Sequence, residues 1–146
     1  MRLVTMQTTK PASHIPPGFQ TVTPYFIVLE PERLVAFAKA AFGAEELQDQ
    51  RALDPDGKLL HTAFRIGDSV LETGRAGDPW KPLKIGIHLF VHDVDAVYAL
   101  ALKAGGKSLH EVKDMDYGER SGAVQDPFGN QWYIATFMKS HGSKPD

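Results

Sequence analysis

Three ionisable side chains near the middle of the chain are of the types that bind divalent metals or move protons. His61 and Glu72 lie in two short apolar segments joined by the tight Gly67-Asp68 turn, and His88 lies in the next apolar segment. Two neutral imidazoles and a carboxylate can hold a divalent ion such as Zn, Ni, Mn or Fe and leave positions open for a substrate. The candidate metal ligands are therefore His61, Glu72 and His88, and Glu72 is also the candidate catalytic acid–base residue.

The same side chains have ordinary alternatives. The two histidines could hydrogen-bond a substrate or line a pocket without any metal. A carboxylate on an interior strand face is costly unless it is paired, so a salt bridge from Glu72 to Arg65 or Arg120 competes with a functional role. Arg120 itself could bind an anionic substrate group bidentately, or bridge an internal carboxylate and stiffen its loop.

Aromatic residues form a second group of candidates, because aromatic rings make the walls of sites for planar ligands. The candidate substrate-binding residues are Tyr25, Phe90, Tyr117, Arg120 and Tyr133, with Trp80 as a further wall. The chain contains no cysteine, which excludes thiolate zinc sites, disulfides and cysteine nucleophiles. It also lacks a GxSxG sequence, a Gly-rich phosphate loop and a GxGxxG helix opening.

The candidates must be positioned by strands, since β-branched and aromatic runs alternate with turn residues along most of the chain. Helical spacing appears twice: after Pro31 up to a stop at Gly43, and over residues 94–104, with Asp93 or Asp95 as the N-cap. The predicted strands cover residues 21–29, 47–53, 59–66 and 70–73 in the first half, and 85–91, 107–112, 122–125 and 131–137 in the second.

The two halves repeat the order strand–helix–strand–strand–strand, and they also match residue by residue. Val28 falls on Val91 and Gly43 falls on Gly106. This pattern predicts an α+β fold of two tandem βαβββ modules, about 19–74 and 83–138, forming a curved mixed sheet with an open cleft and helices on the convex side. Residues 1–18 are expected to be a flexible arm and residues 139–146 a flexible tail.

Strand alternation divides the side chains between two faces. The more apolar set should face the helices: Phe26, Val28, Phe64, Ile66, Leu71, Ile87, Leu89, Val91, Trp132 and Ile134. The opposite face then carries the polar and aromatic candidates, which are Tyr25, His61, Glu72, His88, Phe90 and Tyr133. A one-residue bulge at Gly67-Asp68 would reverse this assignment for one strand.

Two long segments of the second half, HLFVHDVDAVYALALKAGG and AVQDPFGNQWYIATF, resemble the vicinal-oxygen-chelate superfamily of glyoxalases, bleomycin-resistance proteins and extradiol dioxygenases. TVTPYFIV, RIGDSVLETG and YGERSGAVQDPFGNQW resemble its PhnB-like, glyoxalase-related branch. The resemblance covers roughly residues 15–137 and implies the same two-module fold. It is weak for function, because the superfamily includes isomerases, dioxygenases, lyases and antibiotic-binding proteins without activity.

The resemblance also places metal ligands on the concave face. Glu72 and His88 match two of these positions, although His88 lies about two residues further along its strand than is usual. The final ligand position falls on Tyr133, and the first falls near Thr21 or Thr23, so the full four-ligand set is absent. Two functions stay open: a metal-dependent lyase, isomerase or oxygenase acting on a small oxygenated substrate, and a metal-free small-molecule binder of the antibiotic-sequestering type.

Composition bounds the remaining possibilities. The chain has 146 residues, 42% hydrophobic and 23% charged, with a formal net charge of −2, values typical of one globular domain. No basic stripe, secretory signal or membrane-length apolar run is present, so we expect a cytoplasmic protein that binds neither nucleic acid nor membranes. The resemblance implies a homodimer, since proteins of this superfamily often pair.

Overall fold

The computed structural model describes residues 13–138; residues 1–12 of the predicted arm and the whole predicted tail lie outside the described part. Strands and helices follow the predicted order in both halves of the chain. The first module contains β1 (Tyr25–Val28), α1 (Pro31–Phe42), β2 (Glu45–Leu53), β3 (Leu59–Ile66) and β4 (Ser69–Arg75). The second contains β5 (Gly86–Phe90), α2 (Val94–Lys103), β6 (Lys107–Asp114), β7 (Glu119–Gln125) and β8 (Gln131–Phe137).

Each module forms one four-stranded sheet with the same topology. Sheet 1 has the order β1-β4-β3-β2 and sheet 2 has the order β5-β8-β7-β6. The first strand of each module runs parallel to the last, and the other neighbours are antiparallel. The predicted α+β fold of two βαβββ modules is therefore confirmed, with the eight strands divided between two sheets.

The sequence signals at the helix ends act as predicted. Pro31 opens α1, where its missing N–H costs no hydrogen bond. Gly43 ends the helix in the left-handed conformation at φ 68°, and its N–H bonds to the carbonyl oxygen of Lys39. Asp93 caps α2, accepting a hydrogen bond from the Ala96 N–H at 3.2 Å. No helix within residues 13–138 has the length and apolarity needed to cross a bilayer.

One hydrophobic core lies between the helix-covered faces of the two sheets. The Phe26 ring of sheet 1 stacks on the Trp132 ring of sheet 2 at a centroid distance of 5.5 Å, and both side chains are fully buried. Burying a side chain such as Phe26 is worth roughly 1.5–3 kcal/mol. All the predicted helix-facing residues lie in this core or pack against it. The opposite face of each sheet, which we call its open face, is therefore turned away from the core.

Candidate functional site

The open face of sheet 1 carries a hydrogen-bonded pair, His61 on β3 and Glu72 on β4. These strands are antiparallel neighbours, and their register runs without a shift through the Gly67-Asp68 turn, so both side chains lie on one face. His61 Nε2 lies 2.8 Å from Glu72 Oε1, and each side chain is 26% exposed. The partner of Glu72 is thus His61, and the alternative salt bridge to Arg65 or Arg120 is wrong.

A bulge in β2 fixes the other side of the His61 ring. β2 advances from Leu47 to Ala52 while β3 moves only from Ala63 to His61. Gln50 lies in this bulge, and its carbonyl oxygen is 3.1 Å from His61 Nδ1. Both ring nitrogens therefore face acceptors. A neutral imidazole donates from one nitrogen only, so both contacts are hydrogen bonds only when the His61–Glu72 pair carries one extra proton.

Tyr25 adjoins this pair on β1, directly opposite Glu72 in the parallel register. Its ring centroid lies 6.0 Å from that of His61. The hydroxyl rests over Gly74, where an added Cβ would stand 2.5 Å from the phenol oxygen, so a glycine is what makes room for it. Burial raises the pKa of Tyr25, and the negative charge of Glu72 raises it further. The phenol is therefore protonated at neutral pH.

Two cavities meet this cluster. One of about 520 Å³ is mostly apolar and is lined by Tyr25, Ile27, Gly74, Arg75, Trp80 and Leu83. The other, about 330 Å³, includes Glu72 and Gln50 in its wall. A larger groove of about 740 Å³ runs along β5 and is lined by His88 and Phe90 as well as by core side chains such as Trp132. The first cavity combines an apolar wall with a few convergent polar groups, which is the composition of a ligand site.

The open face of sheet 2 carries a second His–Glu pair. His88 Nε2 on β5 lies 3.4 Å from Glu119 Oε1 on β7. That oxygen is buried and has no aligned hydrogen-bond donor among residues 13–138. The Phe90 ring lies 4.5 Å from the His88 ring, and the Tyr133 hydroxyl donates to the side chain of Gln131. His88, Phe90 and Tyr133 therefore share this face, as their alternation predicted.

The structure brings together two of the three candidate metal ligands. His61 and Glu72 are paired on sheet 1, whereas His88 belongs to sheet 2. Over residues 13–138, no group of three or more His, Cys, Asp or Glu side chains is placed to hold a metal ion. The expectation that one chain gathers all three ligands in one cleft is not met, because β4 and β5 are not neighbours in a common sheet.

Arg120 lies on the helix side of sheet 2, away from the open face. It is opposite Thr136, whose hydroxyl accepts from the Val94 N–H at the start of α2. Its guanidinium forms two hydrogen bonds with Asp95, at 2.9 and 3.0 Å, and one with Asp114 at 3.1 Å. These donors lower the pKa of the Asp95 carboxyl. Arg120 thus forms the internal carboxylate bridge. Its guanidinium, which was a candidate to bind an anionic group of the substrate, is already paired with these two carboxylates.

Tyr117 lies in the connection between β6 and β7 and is exposed. The sequence pattern did not identify Glu119 or the Gln50 carbonyl as groups of the candidate site. Alternation through β7 would have found Glu119 if the strand had been extended back from Gly122. Nothing in the sequence marks the bulge that presents Gln50.

The two βαβββ modules give the fold that the sequence resemblance implied. The sequence model of the Glyoxalase/Bleomycin resistance protein/Dioxygenase superfamily matches residues 19–134, and the chain belongs to this superfamily. An uncharacterised protein of Mycobacterium bovis is 35% identical over 129 residues, which cover 77% of this chain and 80% of that protein. Placement in the PhnB-like branch stays a prediction.

Solved structures show the same fold. TioX from Micromonospora sp. ML1 superposes with a TM-score of 0.66 at 21% identity, over 81% of this chain and all of that one. The fosfomycin resistance protein FosX from Mesorhizobium loti superposes with a TM-score of 0.61 at 16% identity, over 86% and 98% of the two chains. At these identities the likeness extends to the fold alone.

Proposed function

We propose that this protein binds a planar small molecule on the open face of sheet 1, between Tyr25 and Trp80, without needing a metal. The observation that carries the proposal is the position of Tyr25: it lines the apolar cavity of about 520 Å³ and also adjoins the His61–Glu72 pair. The cavity supplies apolar contact, and the pair supplies a polar edge beside it. Its volume is within the usual range for sites that hold drug-sized ligands.

Replacement of Trp80 by Ala tests this proposal. Trp80 is 65% exposed and lines the cavity, whereas Leu100, 46% exposed, lies on α2 outside both open faces and serves as the control. With naphthalene as the probe, we expect Trp80→Ala to weaken binding roughly tenfold, as loss of an aromatic wall would. Leu100→Ala should leave the dissociation constant unchanged. Equal effects of the two substitutions, or no binding to the wild type, would contradict the proposal.

A metal-dependent lyase, isomerase or oxygenase is the second candidate, and one observation favours it. A histidine that ligates a metal usually donates its other ring N–H to a carbonyl or carboxylate, and the Gln50 carbonyl faces His61 Nδ1 in this way. Nε2 and the Glu72 carboxylate would then hold the ion, which would act as a Lewis acid on vicinal oxygens of the substrate. Catalytic sites normally have three protein ligands, and residues 13–138 of one chain bring together two here.

The paired side chains of a single chain therefore provide only part of the ligand set that a catalytic metal needs. A third ligand, His88, would have to come from a second copy of the chain in a homodimer. The homodimer is therefore part of this second proposal, and so is a cytoplasmic location. Metal analysis of purified protein separates the two candidates. A bound divalent ion that is lost in both His61→Ala and His88→Ala, but kept in His110→Ala, would favour the enzyme. A protein that takes up no ion on incubation with Zn, Ni, Mn or Fe would favour the metal-free binder.

A further inference from the structure

The polar side chains that line the cavity beside Tyr25 are all hydrogen-bond donors. They are the Tyr25 hydroxyl, the Arg75 guanidinium and the Trp80 indole N–H. Its other lining residues, Ile27, Gly74 and Leu83, have no polar side-chain atom. A cavity of this composition complements a ligand whose polar atoms are acceptors, because a donor that the ligand shields from water without offering an acceptor loses its bond to water and gains nothing.

Tyr25 is the donor that is available to a ligand. Among residues 13–138 its hydroxyl has no hydrogen-bond partner, whereas Arg75 already pairs with Asp54 at 3.0 Å. The glycine at position 74 provides the space in which the phenol oxygen rests.

Resting on the proposed function, we infer that the ligand is a planar molecule with a carbonyl oxygen, such as a lactone, quinone or aryl ketone, and that the Tyr25 hydroxyl donates to that oxygen. Tyr25 is then the residue that determines specificity for oxygenated over hydrocarbon rings. Trp80 contributes apolar contact to both kinds of ring, and Gly74 positions the donor.

Two probes of similar size test the inference: coumarin, which has a lactone carbonyl and no donor, and naphthalene, which has neither. Their dissociation constants are measured by calorimetry for the wild type and for Tyr25→Phe, which removes the hydroxyl and keeps the ring. We expect coumarin to bind about tenfold more weakly to Tyr25→Phe, the loss expected for one hydrogen bond. Naphthalene should bind both proteins equally. Far-UV circular dichroism checks that the variant is folded.

Gly74→Ala provides an independent second variant. The added methyl group would displace the phenol oxygen and shift the edge of its ring, so coumarin binding should fall by more than naphthalene binding. If both probes bind and Tyr25→Phe weakens both equally or neither, the inference about the carbonyl is overturned and the proposed function stands. If neither probe binds the wild type, the proposed function itself fails.

Discussion

At the scale of single residues, the charge of Glu72 is the property most open to measurement. It acts on Tyr25, the residue opposite it in the register, and raises the pKa of that phenol in addition to the larger effect of burial. Glu72→Gln removes the negative charge and keeps the shape of the side chain. The pKa of Tyr25 should therefore fall in the variant and stay above its ordinary value of 10.0, because the burial is unchanged.

Ultraviolet difference titration of each protein against its Tyr25→Phe derivative isolates this one phenol among the four tyrosines. Glu32→Gln is the matched control, since that exposed carboxylate lies in the first turn of α1, outside both open faces. An unchanged Tyr25 pKa in Glu72→Gln would show that the two side chains do not interact in solution.

The alternation of side chains along the strands predicts some contacts of the candidate site and not others. Alternation placed His61, Glu72 and Tyr25 on one face because β3 and β4 keep their register through the turn. It could not give the contact between His61 and the Gln50 carbonyl, since that depends on a bulge in a third strand. Of the two roles left open for Arg120, the internal carboxylate bridge is present, because β7 begins early enough to turn this side chain toward α2.

At the scale of elements, the end of α1 tests the left-handed cap. Gly43 has φ 68°, and an added Cβ would meet no atom within 4 Å, so substitution there changes only the backbone preference. Gly43→Ala should lower the free energy of unfolding by about 1 kcal/mol. Gly77 is equally open and has no positive φ, so Gly77→Ala should have a smaller effect in the same urea titration. Equal losses would mean that the cap conformation does not constrain α1.

The turn before β8 depends on a buried carboxylate. Asp126 is 2% exposed and accepts hydrogen bonds from the backbone N–H groups of Phe128 and Asn130 and from the Trp132 indole at 3.0 Å. In Asp126→Asn an amide NH₂ would face some of these donors and leave them unpaired. We expect the free energy of unfolding to fall by about 2–4 kcal/mol with little change in the urea m-value.

Asp116 is exposed in the connection before β7, and Asp116→Asn is the control for the loss of a negative charge. Comparable destabilisation by the two substitutions would refute the role given to the Asp126 network.

Element order was predictable because its signals are local. Pro31, Gly43 and Asp93 mark helix ends through their own chemistry, and the turn glycines separate the strands. Strand length was less predictable: β2 begins at Glu45, and β7 begins at Glu119, three residues before the predicted start. Both starts are charged residues held by pairing with the neighbouring strand, which a single-strand pattern does not reveal.

At the scale of the whole molecule, the shared core has a consequence for assembly. Because the helix-covered faces of both sheets meet in that core, both open faces are turned outward with aromatic side chains on them. Phe90 and Phe137 on sheet 2 are each 59% exposed, and Tyr25 and Trp80 are exposed at sheet 1. Apolar patches of this kind mark interaction surfaces.

We therefore predict a homodimer with two-fold symmetry, in which the open face of sheet 1 in one copy meets the open face of sheet 2 in the other. Such a symmetric contact forms twice and buries both patches without leaving either open. It would also bring His88 of one copy towards the His61–Glu72 pair of the other, the arrangement that a three-ligand metal site requires.

Sedimentation velocity at micromolar concentration should give twice the 16.1 kDa chain mass. Phe90→Lys should shift the equilibrium to monomer, because it places a charge in the contact, whereas Leu100→Lys, at an exposed position on α2, should not. A wild-type species of 16.1 kDa would rule out both the dimer and the metal site that depends on it, and the cavity between Tyr25 and Trp80 would then have to act within a single chain.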